Sequence, residues 1–300
     1  MSNTEDCGLK PIRDVLINVN DHVISLFNSR TAQIVSGVPT GFTDLDYLTA
    51  GLHPGELIVI SGGTSMGKTS FSLNIAEYVA MRAGMPIAIF STELTAKQVS
   101  QRLISSYKNI PLKNIRNGQL KGDELQRMGE AITDIANSRN FFIDDSASFS
   151  VSEVCDRARE LNRTVKQLGL IVIDNIHMLK CEEKAESRAV ELSNITTDLK
   201  ALAKELSCPI ISTAHINRNV DDRFDKRPII GDIRDSCTIE QTADVVIFLY
   251  RDVIHFEEIK GTDDERNAEA IIRKQRNGQT GTIDLTFFGE YCHFKNRARN

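Results

Sequence analysis

The sequence contains no tryptophan, and its aromatic residues are five tyrosines and 13 phenylalanines. Base stacking on tryptophan is therefore excluded. There is no apolar run near the ~18 residues that a membrane-spanning helix needs. The first 30 residues alternate charged and apolar positions and lack the apolar core of a secretory signal, so none is expected. Six cysteines (Cys7, Cys155, Cys181, Cys208, Cys237 and Cys292) lie far apart with no C-x-x-C pair. That spacing argues against a zinc ribbon, a redox motif or a disulfide framework, and reduced thiols point to the cytoplasm. The net charge of -5 supplies no global positive field, so any DNA site must be a local basic patch. Internal repeats and low-complexity segments are absent.

What remains is a globular composition: 300 residues, 41% apolar and 26% charged, enough for one large α/β domain or two modest ones. Ile12, Leu16, Val19, Val23 and Leu26 recur at helical spacing between Lys10 and Arg30. This stripe belongs either to a terminal helix packed on its own domain or to one that docks on a neighbouring subunit. Residues 1–35 thus read as an N-terminal extension with a helix, and 36–300 as the main domain. Ser36 to Gly55 holds four glycines and two prolines, marking turns before the first core strand. Apolar runs at Leu57–Ile60, Pro86–Phe90, Phe141–Ile143, Leu170–Ile173, Pro209–Ser212 and Val245–Leu249 alternate with helical patterns. Those patterns include Val154, Ala158, Leu161, Val165 and Leu168, and later Ile195, Leu199, Leu202 and Leu206. Asp123, and Ser150 or Ser152, stand where helix N-caps belong. Apolar strands separated by helices predict an α/β fold, a mostly parallel sheet covered by helices on both faces. Ala270–Arg273 and Thr282–Phe287, around Asn277-Gly278, predict an antiparallel edge hairpin.

The strongest motif is Gly62-Gly63-Thr64-Ser65-Met66-Gly67-Lys68-Thr69, a complete G-x-x-x-x-G-K-[ST]. By composition it arises in roughly one chain in a hundred of this length, and here it also lies between a predicted strand and a predicted helix (Thr69–Ala80), the context it requires. Glycines let backbone N–H groups turn toward phosphate oxygens, and the helix N-terminus adds partial positive charge. Lys68 is expected to reach the β- and γ-phosphates of a nucleotide and Thr69 to hold Mg2+, with Ser70 next in the helix. Asp174 ends the run Leu170–Ile173, where a second Mg2+ contact belongs, although an acidic residue after a strand is common on its own. Asn175 follows it, so a base that orients water must come from elsewhere. Glu93 is the candidate, at the end of Phe90-Ser91-Thr92; the alternative is an exposed carboxylate at the helix start near Thr95.

These residues, with Ser36-Gly37-Val38-Pro39-Thr40-Gly41-Phe42-Thr43-Asp44-Leu45-Asp46, Ala50-Gly51-Leu52, Ile233-Arg234-Asp235-Ser236, Ile239-Glu240-Gln241-Thr242-Ala243-Asp244 and Lys274-Gln275-Arg276-Asn277-Gly278, resemble the helicase domain of the DnaB family of bacterial replicative helicases. The resemblance runs from about residue 10 to 295. It implies a RecA-like P-loop core preceded by a linker helix, assembled as a ring of six, with ATP and Mg2+ at subunit boundaries. It implies ATP-dependent unwinding of forked DNA with single-stranded DNA in the channel. By the same resemblance Asp174 is the second-motif acid, Glu93 the catalytic base and His215 the γ-phosphate sensor. Lys274 and Arg276 are then cations donated to the neighbour's ATP; without it, a basic pair in a hairpin is ordinary solvated surface. DNA contacts fall in two stretches, Cys181 to Arg188 and Arg218 to Arg234. The second carries Arg218, Arg223, Lys226, Arg227 and Arg234, with Asp235 and Cys237 just beyond, yet its acids nearly balance its bases. Arg234 is the leading phosphate contact.

The sequence departs from the family pattern in three places. Gly62-Gly63 replaces Ala-Arg, His215 replaces Gln, and Cys237 replaces a small Gly in the DNA-facing loop. The family's collar domain, which binds primase, has no counterpart in the sequence, so primase recruitment by that route is not expected, while a helicase loader stays a possible partner. The competing functions are a RecA- or RadA-like filament ATPase on single-stranded DNA, an inactive truncated remnant, and a small-molecule kinase, for which no acceptor site is evident.

Overall fold

All six apolar runs form the parallel part of a single nine-stranded sheet. In this computed structural model, residues 11–28, 35–182, 185–217, 220, 223–234 and 236–297 are described. The parallel strands are β1 (Leu57–Gly62), β2 (Ile87–Ser91), β3 (Phe141–Asp144), β4 (Leu170–Asp174), β5 (Ile210–His215) and β6 (Val245–Tyr250). Three antiparallel strands follow: β7 (Asn267–Gln275), β8 (Gly281–Phe288) and β9 (His293–Asn296). The order across the sheet is β3-β2-β4-β5-β1-β6-β7-β8-β9. The predicted hairpin is β7–β8, but β9 pairs with β8 and is the outermost strand on that side.

Every residue of β1, β2, β4 and β6 is buried, the signature of strands covered on both faces. One group of helices comprises α3 (Lys68–Met81), α4 (Ala96–Lys108), α5 (Leu112–Asn117) and α6 (Glu124–Ser138). The other comprises α7 (Val151–Val165), α8 (Arg188–Leu206) and α9 (Ser236–Thr242). Strands β1 and β5 touch both α3 and α8, so the sheet lies between the groups. Short α2 (Thr43–Thr49) leads into β1. Phe42 stacks on Phe71 of α3 at 4.6 Å, and Phe71 meets Phe294 of β9 edge-on at 5.4 Å, which fastens the antiparallel strands to the phosphate-loop helix.

Ser150 caps α7 in a capping box with Glu153. Asp123 precedes α6 but makes no side-chain cap; it pairs with Arg127 at 2.8 Å. The N-terminal stripe forms α1 (Ile12–Asn28), and its described apolar side chains are uncovered, with Leu16 59%, Val19 52%, Val23 55% and Phe27 85% exposed. Of the two expectations for this helix, packing on its own domain is not what these side chains do. Among the described residues, no helix is long and apolar enough to cross a membrane.

Because β1 to β6 are parallel, their C-terminal ends share one edge. Gly62 is level with His215, and Ser91 with Asp174. At the opposite edge Val245 pairs with Gln275, and the Arg276 N–H donates to the Asp244 carbonyl at 2.9 Å. The length of β1 separates these edges, about 17 Å along the strands.

Candidate nucleotide-binding site

Gly62 closes β1 and Lys68 opens α3, so the phosphate motif spans the strand-to-helix turn at the sheet's C-terminal edge. Two of its glycines are required by space. At Gly67, φ is +97° and a Cβ would stand 2.8 Å from the Phe294 ring; at Gly62 it would stand 2.7 Å from the Leu249 carbonyl. Gly63 has no such conflict.

Lys68 Nζ donates to the Gly62 and Gly63 carbonyls, both at 2.9 Å. Burial lowers its pKa, with Asp174 and Glu93 opposing. Asp174 is only 5% exposed. Its carboxylate accepts from the hydroxyls of Thr69 at 2.8 Å and Thr213 at 2.6 Å. Burial pushes the Asp174 carboxyl up in pKa, against those two hydrogen bonds. A buried carboxylate and a threonine hydroxyl that already touch are oxygen donors suited to Mg2+, which takes few protein ligands and completes its shell with water and phosphate. Among the described residues no group of three or more His, Cys, Asp and Glu could hold a metal by itself.

Glu93 lies across the cleft. Thr95, rather than Glu93, caps α4, in a capping box with Gln98. Glu93 Oε1 accepts from the Asn175 side-chain amide at 2.7 Å and sits 3.2 Å from His215 Nε2. Thr92 accepts from the Asn175 N–H at 2.9 Å and donates to the Asp174 carbonyl at 2.8 Å, so the ends of β2 and β4 are laced together. Lys68, Thr69, Ser70, Thr64, Ser65, Gly67, Glu93, Asp174 and His215 line one cavity of about 310 Å3. Met66 is buried beneath the loop.

Two residues of this site were invisible in the sequence. Phe287 lines the same cavity. Arg251, just past β6, lies over the Phe287 ring at 4.4 Å and donates to the Ser65 carbonyl at 3.2 Å. Its Nε is buried without a partner, and burial lowers its pKa. An orphaned guanidinium donor beside a phosphate loop is the kind of group a ligand satisfies. No local motif announced either residue, since they meet only when β6 and β8 come together.

Lys274 and Arg276 are elsewhere, at the opposite sheet edge. Lys274 donates to the carbonyls of Glu240 and, at 2.6 Å, Ala243. Arg276 donates to the Gln241 carbonyl at 2.7 Å and lies 3.5 Å from Asp244. Asp244 also accepts from Lys200 at 2.6 Å and from the Leu57 N–H at 2.8 Å. Burial, then Arg276, lowers the Lys274 pKa against Asp244 and Glu240.

The expected DNA stretches are partly described. Arg218 and Asp235 lie outside the described residues, as does the side chain of Cys237. Arg223 pairs with Asp232 at 2.6 Å. Arg227 forms a two-pronged pair with Glu269, at 2.6 and 2.8 Å, and lies over the Tyr250 ring. Arg234 is exposed. Its N–H donates to the His215 carbonyl at 3.0 Å, beside an Ile216–Ile233 antiparallel bridge. The loop is thus closed onto the tip of β5.

The family model "DnaB-like helicase C terminal domain" matches residues 37–296. The chain is 40% identical over 292 residues to "Replicative DNA helicase DnaB" of Buchnera aphidicola subsp. Schizaphis graminum, covering 97% of this chain and 62% of that protein. It is 40% identical to the Geobacillus stearothermophilus protein of the same name, covering 97% and 63%. The chain therefore spans a little over three fifths of these relatives. A solved ATPase domain superposes with a TM-score of 0.89 at 31% identity, over 97% of this chain and all of that one. A solved DnaB-like replicative helicase, described together with its interactions with primase, superposes with a TM-score of 0.85 at 31% identity, over 96% of this chain and 72% of that one. A KaiC-like protein of Pyrococcus horikoshii, at 17% identity and TM-score 0.58 over 86% of this chain and 97% of that one, shares the fold alone. The family match spans the phosphate loop, the whole sheet and the loop that closes onto β5, and the chain belongs to the DnaB-like helicase C-terminal domain family.

Proposed function

We propose that the protein is an ATP-hydrolysing DNA helicase that works as a closed ring of six, moving on single-stranded DNA and unwinding duplex at forks. One observation carries this most directly. Lys68, Thr69, Asp174 and Glu93 stand at one sheet edge and Lys274 and Arg276 at the other, too far apart to serve the same nucleotide. A head-to-tail ring brings the second edge of one subunit against the first edge of the next.

In each site the loop N–H groups and Lys68 hold the phosphates, and Thr69 and Asp174 hold Mg2+, which neutralises charge on the phosphates. Glu93, kept in place by Asn175 and His215, orients the attacking water and accepts its proton. Arg251 and Phe287 offer a flat wall for the base. Arg276 and Lys274 of the adjacent subunit exchange the carbonyls at the end of α9 and of Ala243 for the transferring phosphoryl group. Arg234 is the phosphate contact to DNA, whereas Arg223 and Arg227 brace the loop through Asp232 and Glu269. The uncovered stripe of α1 docks on the adjacent subunit.

The test is ATP turnover with and without single-stranded DNA at two salt concentrations. Strong stimulation that falls with salt is expected. Flat turnover overturns the motor. Electron micrographs of the protein with ATP and DNA are expected to show rings; filaments would favour a RecA-like coat instead.

A further inference from the structure

His177 stands three residues beyond Asp174, in the 3-10 turn Ile176–Met178 that follows β4. Two bonds fix that turn. The His177 N–H donates to the Asn175 side chain at 2.8 Å, and Arg188 donates to the His177 carbonyl at 2.7 Å. The imidazole is thereby carried beneath the end of β5, its centroid 6.1 Å from that of His215 and its plane tilted by 30°.

Both ring nitrogens face backbone. Nδ1 lies 3.3 Å from the His215 backbone nitrogen, and Nε2 lies 3.1 Å from the Arg234 carbonyl. A nitrogen that accepts an N–H carries no proton, so the tautomer follows from the partners: Nδ1 accepts and Nε2–H donates. One ring therefore ties the second-motif strand to two groups. The first is the strand tip that bears His215, which reaches Glu93; the second is the residue from which the closing loop passes into α9.

We infer that His177 is a positioning residue that couples the nucleotide end of β5 to the loop carrying Arg234. Without it, β5 and Arg234 keep the Ile216–Ile233 bridge and the Arg234 N–H to His215 bond. What is lost is their common tether to the turn after Asp174. The inference rests on the proposed roles of His215 and Arg234, and it concerns how DNA at one site is felt at the other.

The test uses His177→Ala, His177→Asn and His177→Gln in the full chain. The Asn oxygen can take the place of Nδ1 and keep the His215 bond; the Gln amide nitrogen can take the place of Nε2 and keep the Arg234 bond. Three quantities are read: affinity for a fluorescent ATP analogue, ATP turnover without DNA, and turnover with saturating oligo-dT. Affinity and DNA-free turnover are expected within about twofold of wild type. The stimulation by oligo-dT is expected to fall about five- to tenfold, or about 1 to 1.4 kcal/mol of coupling, in the Ala variant, and less in Asn and Gln. Wild-type stimulation in His177→Ala overturns the inference. So does an Ala variant that loses affinity and DNA-free turnover alongside its stimulation, since that marks a purely structural part. An unstimulated wild-type protein sinks the helicase proposal itself, a result readable before any variant is made.

Discussion

The two edges of the central sheet are built differently. At the C-terminal edge, Asp174 is buried and Lys68 is desolvated; Thr69 of α3 and Thr213 of β5 hold the Asp174 carboxylate, Asn175 holds Glu93, and Thr92 holds the Asp174 backbone carbonyl. At the N-terminal edge, Lys274 and Arg276 are partly exposed and spend their donors on carbonyls at and just past the end of α9. Carbonyls at a helix C-terminus attract cations, but such contacts are worth only ~0.3–1 kcal/mol at an exposed surface. A phosphoryl group in transfer binds a cation far more strongly. The first edge is thus pre-organised, and the second is held in a conformation that is easy to leave.

The contrast breaks most visibly at Lys68. Lys68→Ala is expected to bring ATP turnover to background, a fall of ~10³ or more; a phosphate-release assay showing wild-type rates would refute the site. Next is Arg276→Ala, expected to lose about 10³ in turnover while nucleotide affinity changes little. Mixing it with Glu93→Gln should recover part of the activity, because some boundaries then pair an intact base with an intact cation. If mixtures stay dead, the cation does not act across a boundary.

Stability sharpens the same comparison. Asp244 is 4% exposed and holds the Leu57 N–H, Lys200 and Arg276 at the N-terminal edge. Asp244→Ala is expected to cost about 2–4 kcal/mol in urea unfolding, since a buried N–H and a cation lose their acceptor. An unchanged midpoint would mean that edge is not structural. The smallest effect lies in the helix between the edges. Glu77 of α3, hydrogen-bonded by Ser106, has its pKa pushed up from 4.5 to about 7 by burial. An acid with a raised folded-state pKa favours folding at low pH, and that contribution is lost as pH rises from about 4.5 to 7. Glu77→Gln should therefore stabilise the protein at pH 8 relative to pH 5 by about 2–3 kcal/mol compared with wild type. Parallel pH–stability curves for the two proteins would contradict the assignment.

The sheet was legible because its parallel strands are buried on both faces and read as uninterrupted apolar runs. Strand β9 was not: His293-Phe294-Lys295-Asn296 is a short segment with a single buried aromatic, held as a strand by pairing with β8 and by the packing of Phe294 on Phe71 and Phe287. The phosphate loop was readable because its chemistry is local. Arg251, Phe287 and His177 were not, because their partners lie far away in sequence. Charge counting in the loop before Arg234 gave near balance, and the loop's charges do pair: Arg223 with Asp232 and Arg227 with Asp225, Arg227 also reaching Glu269 of β7. Asp123 shows the limit of residue type as a guide, having the right identity for a cap and a different use.

The bare stripe on α1 has a consequence for how the protein behaves on dilution. If burying Leu16, Val19, Val23 and Phe27 and delivering Arg276 are one event, then an isolated subunit is both sticky and idle. Activity per milligram is then not a constant of the protein. It should rise steeply through a narrow range of subunit concentration, as the rings assemble.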